Sequence, residues 1–363
     1  MISMLSSDPA PRRNGPGSTA RTGRSTLRPM ATLARGAWSE VTSAPPRPGV
    51  DLPLVTEATH ESLAPRTTLL DSLEAEARHL AALGPPFRRV LQVTRTPVSV
   101  TLVAEQFIGL SVKELVLSLV KAGRVLPLPV WLAFADALTR APDTSFGPAA
   151  GGGLQSLGVD VKRRLVVFPD PHLVFAGMHL DRLLPPTPRV GSLANIIPYI
   201  SPEQAMGLPL TYASRVFSIA TVLAELLTTT APFLRGSQFE TARAISRGAF
   251  FWSAAAHPQC PPEVGTVLVR ALHQEPHRRW PSLRALGEAL AAAAGVPPAS
   301  MADACAVALA VDFPRVQRHL RAMSQVPTWL PEVWRNGGLE VFEDQLLEVV
   351  PPTGHLPHRV IDA

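Results

Sequence analysis

Lysine is nearly absent from this sequence of 363 residues. It occurs only as Lys113, Lys121 and Lys162, so the formal net charge of +5 rests almost wholly on arginine. A dense basic run with interleaved aromatic residues is also missing, and we therefore expect no nucleic-acid partner. No lysine precedes Lys113, so the first 112 residues cannot supply a lysine ammonium group to a binding or catalytic site.

Cysteines and long apolar runs are equally scarce. Cys260 and Cys305 stand alone and fit no metal-binding or redox spacing, which predicts a reducing compartment and no disulfide. The sequence has no apolar run long enough for a transmembrane helix, and it does not open with a charged segment followed by an apolar one. We therefore predict a cytoplasmic protein without a membrane span.

The length of 363 residues is sufficient for a two-lobed domain with flanking segments. Residues 1–30 are rich in Ser, Pro, Gly and Arg and are predicted to form a disordered tail. A long helix is predicted after Ser214, which can cap it. Apolar residues surround this helix on nearly all sides, at Val216, Phe217, Ile219, Ala220, Val222, Leu223, Leu226 and Leu227. This pattern predicts a buried helix at the centre of a helical layer.

The order of residues around this helix resembles that of bacterial serine/threonine protein kinases. Ile197-Pro-Tyr-Ile-Ser-Pro-Glu203 is similar to the end of the family's activation segment. Ala271-Leu-His-Gln-Glu-Pro-His-Arg-Arg279-Trp-Pro-Ser282 is similar to its late Asp-Pro-x-x-Arg motif. The resemblance, which is to a degenerate, pseudokinase-like member, extends from about Leu33 to Ala294.

The resemblance implies an α+β, two-lobed protein-kinase-like fold. A small β-sheet-plus-helix lobe is expected at residues 31–108, and a larger, mostly helical lobe at residues 109–296. A helical C-terminal extension is expected at residues 297–363.

The resemblance also implies where a nucleotide would be held, and several of these positions differ. Gly36 is the one glycine kept from the glycine-rich loop and is the candidate for contact with phosphate. The family's phosphate-binding lysine is expected within residues 50–56, where Val55 or Thr56 takes its place. Glu76, on a predicted amphipathic helix, best fits the glutamate that pairs with this lysine.

The implied catalytic positions are altered as well. In the family, an aspartate accepts the hydroxyl proton and an asparagine binds magnesium. One alignment puts Val159 and Arg164 at these two positions. A shift by one residue makes Asp160 the candidate base but moves Leu165 to the metal position. Phe175 stands where the family has the metal-binding aspartate, and a phenyl ring cannot bind a hard cation.

Residues with a structural role in the family are kept. Glu203 and Arg279 correspond to a buried ion pair that joins the activation segment to the late helices. Arg215, by contrast, replaces an aspartate that ties the central helix to the catalytic loop. The residues that hold the large lobe together are thus present, whereas those that bind phosphate and metal are not.

This division predicts a catalytically inactive pseudokinase that acts as a signalling scaffold or binding module, without cofactor or metal. Two alternatives stay open. One is an active serine/threonine kinase with a displaced catalytic apparatus that uses ATP and magnesium, and the other is an ATP-binding protein without catalysis.

Partners are expected to be other proteins. The first candidate surface is the Gln238–Arg247 helix, because the corresponding helix is a docking surface in the family. The second is the segment after Gly295, where Trp329, Trp334 and Phe342 occur close together. The alternative for this segment is that it folds back and buries against the large lobe.

Overall fold

The small lobe is a five-stranded antiparallel sheet with a helix packed against it. The computed structural model describes residues 32–35, 39–50, 53–82, 89–106, 109–140, 165–167, 173–175, 197–248, 250, 257–321 and 346–348. The strands are β1 (Thr32–Arg35), β2 (Ser39–Ala44), β3 (Leu54–Thr59), β4 (Val90–Arg95) and β5 (Val100–Glu105). Their order in the sheet is β1-β2-β3-β5-β4.

The predicted amphipathic helix of the small lobe is confirmed as α1 (Thr67–Ala82). Leu70, Leu73 and Ala77 recur at helical spacing and are buried. They form one core cluster with Leu102 and Ala104 of β5, so α1 covers one face of the sheet.

The chain enters the large lobe through β6 (Leu110–Ser111), α2 (Val112–Ala122) and β7 (Arg124–Val125). Ser111 and Glu114 form a capping box at the start of α2. The Ser111 Oγ accepts from the Glu114 N–H at 3.2 Å, and the Ser111 N–H donates to the Glu114 carboxylate at 2.8 Å. β6 also pairs with β8 (Leu165–Val167), which pairs in turn with β9 (Leu173–Phe175).

The large lobe is built around a central helix whose sequence predicts its burial. Its helices are α3 (Leu128–Thr139), α4 (Pro202–Ala205), α5 (Tyr212–Thr228), α6 (Gln238–Ser246), α7 (Pro262–Ala271) and α8 (Leu283–Ala294). In α5, every residue from Ser214 to Leu227 is buried, which confirms the predicted central helix. The capping prediction for Ser214 is wrong, because the helix begins earlier and Thr211 is its N-cap. Ser214 Oγ instead accepts the Thr211 N–H at 3.1 Å.

Helices α3 and α8 approach each other closely at a glycine. A β-carbon added at Gly287 would overlap the hydroxyl of Thr139. Alanine normally favours a helix over glycine by about 1 kcal/mol. The glycine at this position is therefore explained by packing between the helices and not by local helix preference.

The C-terminal extension packs into the core of the large lobe. It contains α9 (Met301–Ala310), α10 (Phe313–Arg321) and β10 (Leu347–Glu348). All residues of α9 from Ala304 to Ala310 are buried, and α9 packs against α3. Just before α9, the Ala299 N–H donates to the Pro129 carbonyl at 2.9 Å.

Polar contacts join the extension to the start of the large lobe. Ser118 Oγ donates to Asp312 Oδ2 at 3.0 Å, and β10 pairs with β7. The Arg124 guanidinium donates to the Leu346 carbonyl at 2.9 Å. The described part of the extension thus belongs to the large-lobe core. Trp329, Trp334 and Phe342 lie outside the described residues.

Among the helices that the structure describes, none is both long enough and apolar enough to cross a membrane.

Cys260 and Cys305 are free and buried. Burial raises the pKa of the Cys260 thiol to about 12, so it stays protonated near neutral pH.

A buried histidine links the loop before α7 to the start of α3. The His257 Nε2–H donates to the Leu126 carbonyl at 2.8 Å, and Nδ1 accepts the Gln259 N–H at 3.2 Å. With one nitrogen donating and the other accepting, the ring is neutral in this arrangement. Burial lowers the pKa of His257, and the hydrogen bond to Leu126 opposes this only in part.

We expect His257 to make the fold less stable in mild acid. The unfolded state takes up a proton near pH 6.5 and the native state only at lower pH. Stability is therefore complete above that value and falls as pH decreases from it to the lowered native pKa, by up to about 1.4 kcal/mol per pH unit. Urea unfolding between pH 7.5 and 5 measures this slope, which should be shallower in His257→Gln. An equal slope in the variant would contradict the prediction.

Candidate functional site

The family's phosphate-binding lysine must lie on the face of β3 that points towards α1, since it pairs with a glutamate on that helix. In β3, Val55 is paired with Ala104 and Glu57 with Leu102, both of which belong to the core beneath α1. Residues paired across an antiparallel sheet point to the same side. Val55 and Glu57 therefore face α1, whereas Thr56 points to the opposite face. The assignment of Thr56 to the lysine position is therefore wrong.

Glu57 is the acidic residue on this inner face. Its side chain is fully buried, and the Ser39 hydroxyl donates to Glu57 Oε1 at 3.1 Å. The alternation of Leu54 to Thr59 could have revealed it, because a strand extended to Thr59 puts Val55 and Glu57 on one side. The inner face thus carries a carboxylate on the strand where the family has an ammonium.

The other predicted nucleotide and catalytic residues are only partly covered by the structure. Glu76 lies in α1, although its side chain is not among those described. Phe175 is the last residue of β9, and again only its backbone is described. Gly36, Asp160 and Arg164 fall outside the described residues, so their predicted roles stay predictions.

The structure brings Glu203 and Arg279 together. Arg279 Nη1 lies 2.9 Å from Glu203 Oε1, with 0% and 6% of the two side chains exposed. Ser201 positions Glu203 because its hydroxyl caps α4 by accepting the Gln204 N–H at 3.3 Å. The two charges thus meet in the interior, where their attraction is weakly screened.

Arg279 also binds three backbone carbonyls. Its Nε donates to His273 O at 2.7 Å, its Nη1 to Ala213 O at 2.9 Å and its Nη2 to Gln274 O at 2.8 Å. Burial lowers the pKa of the guanidinium, and the charge of Glu203 counteracts this effect. The side chain therefore joins the start of α5, the loop after α7 and α4 at a single point.

A second buried contact attaches the end of the activation segment to α5. The Tyr199 hydroxyl donates to Glu225 Oε2 at 2.7 Å, and both residues are buried. The motifs that resemble those of kinases do not pair these two residues, which are 26 positions apart, and the fold reveals the contact. Arg215 is also buried in α5, where its guanidinium lies 4.9 Å from the centre of the Tyr212 ring, within cation–π distance.

Within the described residues, no group of three His, Cys, Asp or Glu side chains is placed to hold a metal ion.

This architecture, a small antiparallel sheet with a helix joined to a lobe around a buried helix, is the protein-kinase fold. The structure is similar to the crystallised kinase domain of PknI from Mycobacterium tuberculosis (C20A mutant), with a TM-score of 0.51 and 19% identity. The match covers 73% of this chain and 94% of that domain.

Sequence comparison points to the same class. The chain is 28% identical over 102 residues to the tyrosine-protein kinase MasK of Myxococcus xanthus. It is 33% identical over 88 residues to the serine/threonine-protein kinase PksC of Streptomyces coelicolor. It is also 28% identical over 102 residues to the serine/threonine-protein kinase PknD of Protochlamydia amoebophila.

These sequence matches cover 28%, 24% and 27% of this chain, but only 16%, 16% and 10% of the respective kinases. No protein-family model matches the chain. The chain is therefore a protein-kinase-like protein with similarity to bacterial protein kinases.

Proposed function

We propose that this protein is a pseudokinase, a binding module that uses the protein-kinase fold without phosphoryl transfer. The observation that carries the proposal is on β3, where the buried acid Glu57 faces α1 and no lysine is present. No lysine of the sequence precedes Lys113, so the small lobe cannot supply one from another strand.

Charge explains why this difference matters for nucleotide binding. Phosphoryl transfer depends on holding and neutralising the phosphates, which an ammonium does and a carboxylate does not. A side chain of this type at Glu57 cannot supply the cation that the family uses to hold the phosphates.

The contacts that hold the large lobe together support the same proposal. Glu203 with Arg279, and Tyr199 with Glu225, attach the end of the activation segment to the helices around it. A protein that is used for binding needs this rigid lobe but not the phosphate and metal contacts. The retained structural pairs, together with the absence of a lysine on β3, are compatible with a binding module on this fold.

We expect purified protein incubated with ATP and Mg²⁺ or Mn²⁺ to transfer no phosphate to itself or to a generic basic protein. The reason is the missing lysine on β3, together with Phe175 and Arg164 at the family's metal-binding positions. Radiolabelled ATP gives the readout, and an active bacterial kinase serves as the positive control.

Two outcomes would contradict this expectation in different ways. Transfer that Asp160→Asn abolishes would establish an active kinase with Asp160 as its base. A magnesium-dependent rise in melting temperature with ATP, without transfer, would establish an ATP-binding protein. A ligand at a hundred times its dissociation constant stabilises a fold by about 2.7 kcal/mol, which such a measurement detects.

A further inference from the structure

The outer face of α6 carries an unusually exposed aromatic side chain. Phe239 is 76% exposed, and no other large apolar side chain in the described part of the protein exceeds 51%. The opposite side of α6 is fixed, because Thr241, Ala244 and Ile245 are buried beneath it. The orientation of α6 therefore leaves Phe239 in solvent, where an aromatic ring contributes nothing to the core.

Two arginines lie on the same face of α6. Arg243 and Arg247 follow Phe239 at steps of four residues, the spacing that aligns side chains along a helix. Both are exposed, and neither guanidinium has a hydrogen bond or ion pair with any described residue. Other exposed arginines, such as Arg78 and Arg284, are paired with glutamates one helical turn away. Among the described residues, Arg243 and Arg247 therefore differ from these paired arginines.

The position of the arginines alone would not indicate a binding surface. Cations are favoured at the C-terminal end of any helix by its dipole. Phe239, at the other end of α6, gains nothing from that dipole. The helix thus carries an exposed aromatic ring beside Glu240 near its start and two exposed arginines near its end.

We propose that the face formed by Phe239, Arg243 and Arg247, here called the α6 face, binds an acidic peptide segment of a partner protein. Phenylalanine and arginine are both enriched in protein interfaces, and arginine is enriched at their hot spots. Arginine binds carboxylates through two parallel hydrogen bonds, which favours aspartate or glutamate in the partner. This inference rests on the proposed binding function and names its partner chemistry.

The geometry also predicts the spacing in the partner. Phe239, Arg243 and Arg247 are each about 6 Å apart along the axis, at ~1.5 Å per residue. An extended peptide advances about 3.3 Å per residue, so each step corresponds to roughly two residues. We expect an apolar residue with acidic residues two and four positions away.

The test uses the full chain, immobilised, and a phage-displayed library of random peptides as the probe. Peptides that carry the apolar-acidic spacing should be enriched, and the enriched sequence is then synthesised with a fluorescent label. Anisotropy should show that its affinity falls with added salt. Phe239→Ala should weaken binding by about tenfold or more, as expected for a hot spot.

Matched variants make the result specific to this face. The double variant Arg243→Gln with Arg247→Gln should lose binding in the same way. Arg284→Gln on α8 and Val269→Ala on α7 remove an exposed arginine and an exposed apolar residue elsewhere and should leave it unchanged. Since all these side chains are exposed, melting temperatures should stay close to that of the unaltered protein.

Several outcomes would overturn the proposal. These are enrichment of peptides without acidic residues, equal binding by the α6-face variants, or recovery of no peptide at all. Sedimentation that shows dimers dependent on Phe239 would assign the face to a second copy of the chain instead. Phosphate transfer by the unaltered protein would contradict the proposed function alone, because peptide binding is measured independently of ATP.

Discussion

Replacement of Arg279 by alanine is expected to destabilise the large lobe by about 3–5 kcal/mol, the cost of leaving a buried charge without its partner. The change leaves the Glu203 carboxylate buried and removes donors from three backbone carbonyls. Native proteins are stable by only about 5–15 kcal/mol, so a large share of the total would be lost. Chemical unfolding monitored by circular dichroism measures the change.

Glu203→Ala should cost somewhat less than Arg279→Ala. The guanidinium that remains still donates to the carbonyls of His273, Ala213 and Gln274, which partly balance its charge. The double variant should be less harmful than the sum of the two single ones, because each single change leaves an unpaired charge and the double change leaves none.

The control for this pair is Arg284→Ala. Arg284 and Glu288 form an ion pair on α8 with 84% and 67% of their side chains exposed, and such pairs contribute below about 1 kcal/mol. Additive effects at Glu203 and Arg279, or a loss no larger than that of Arg284→Ala, would show that burial does not couple the two charges.

Deletion of residues 298–363 is expected to abolish cooperative folding of the large lobe. It would remove α9, whose residues Ala304 to Ala310 are all buried, and expose the side of α3 that α9 covers. A single buried leucine truncated to alanine costs about 2–5 kcal/mol. Loss of the whole helix should exceed this, and the measurements are the melting temperature and light scattering of the truncated protein.

Two point variants separate packing from surface contacts in the extension. Leu309→Ala, at a fully buried position, should lower stability by about 2–5 kcal/mol. Arg315→Ala, which breaks partly exposed ion pairs with Glu114 at 3.6 Å and Asp312 at 3.8 Å, should cost less than about 1 kcal/mol. A truncated protein that melts as the full chain does would refute the role of the extension in the core.

Much of this fold can be predicted from the sequence, because its signals are local or carried by contiguous motifs. Burial of α5 follows from its apolar periodicity. The pairing of Glu203 with Arg279 is implied by two short motifs that resemble those of kinases. Gly287 is different, since its close approach to Thr139 depends on how two separate helices pack.

The position of the buried acid Glu57 on β3 is harder to predict from the sequence than the burial of α5. Which residues of β3 face α1 depends on where the strand ends and on its register with β5, and a shift of one residue exchanges the two faces. An expected strand at residues 50–56 therefore points to Val55 or Thr56, whereas the observed strand from Leu54 to Thr59 reveals Glu57. The contact between Tyr199 and Glu225 likewise exists only in three dimensions.

The extension also determines when the large lobe can be completed during synthesis. Ser118 and Asp312 are 194 residues apart, and Arg124 and Leu346 are 222 residues apart. The helix α3 begins at Leu128 and its neighbour α9 begins at Met301. Ribosomes add roughly 5–20 residues per second, so the apolar side of α3 stays uncovered by α9 for roughly ten to thirty-five seconds. Nascent chains therefore pass through a stage in which the apolar side of α3 that packs against α9 is exposed.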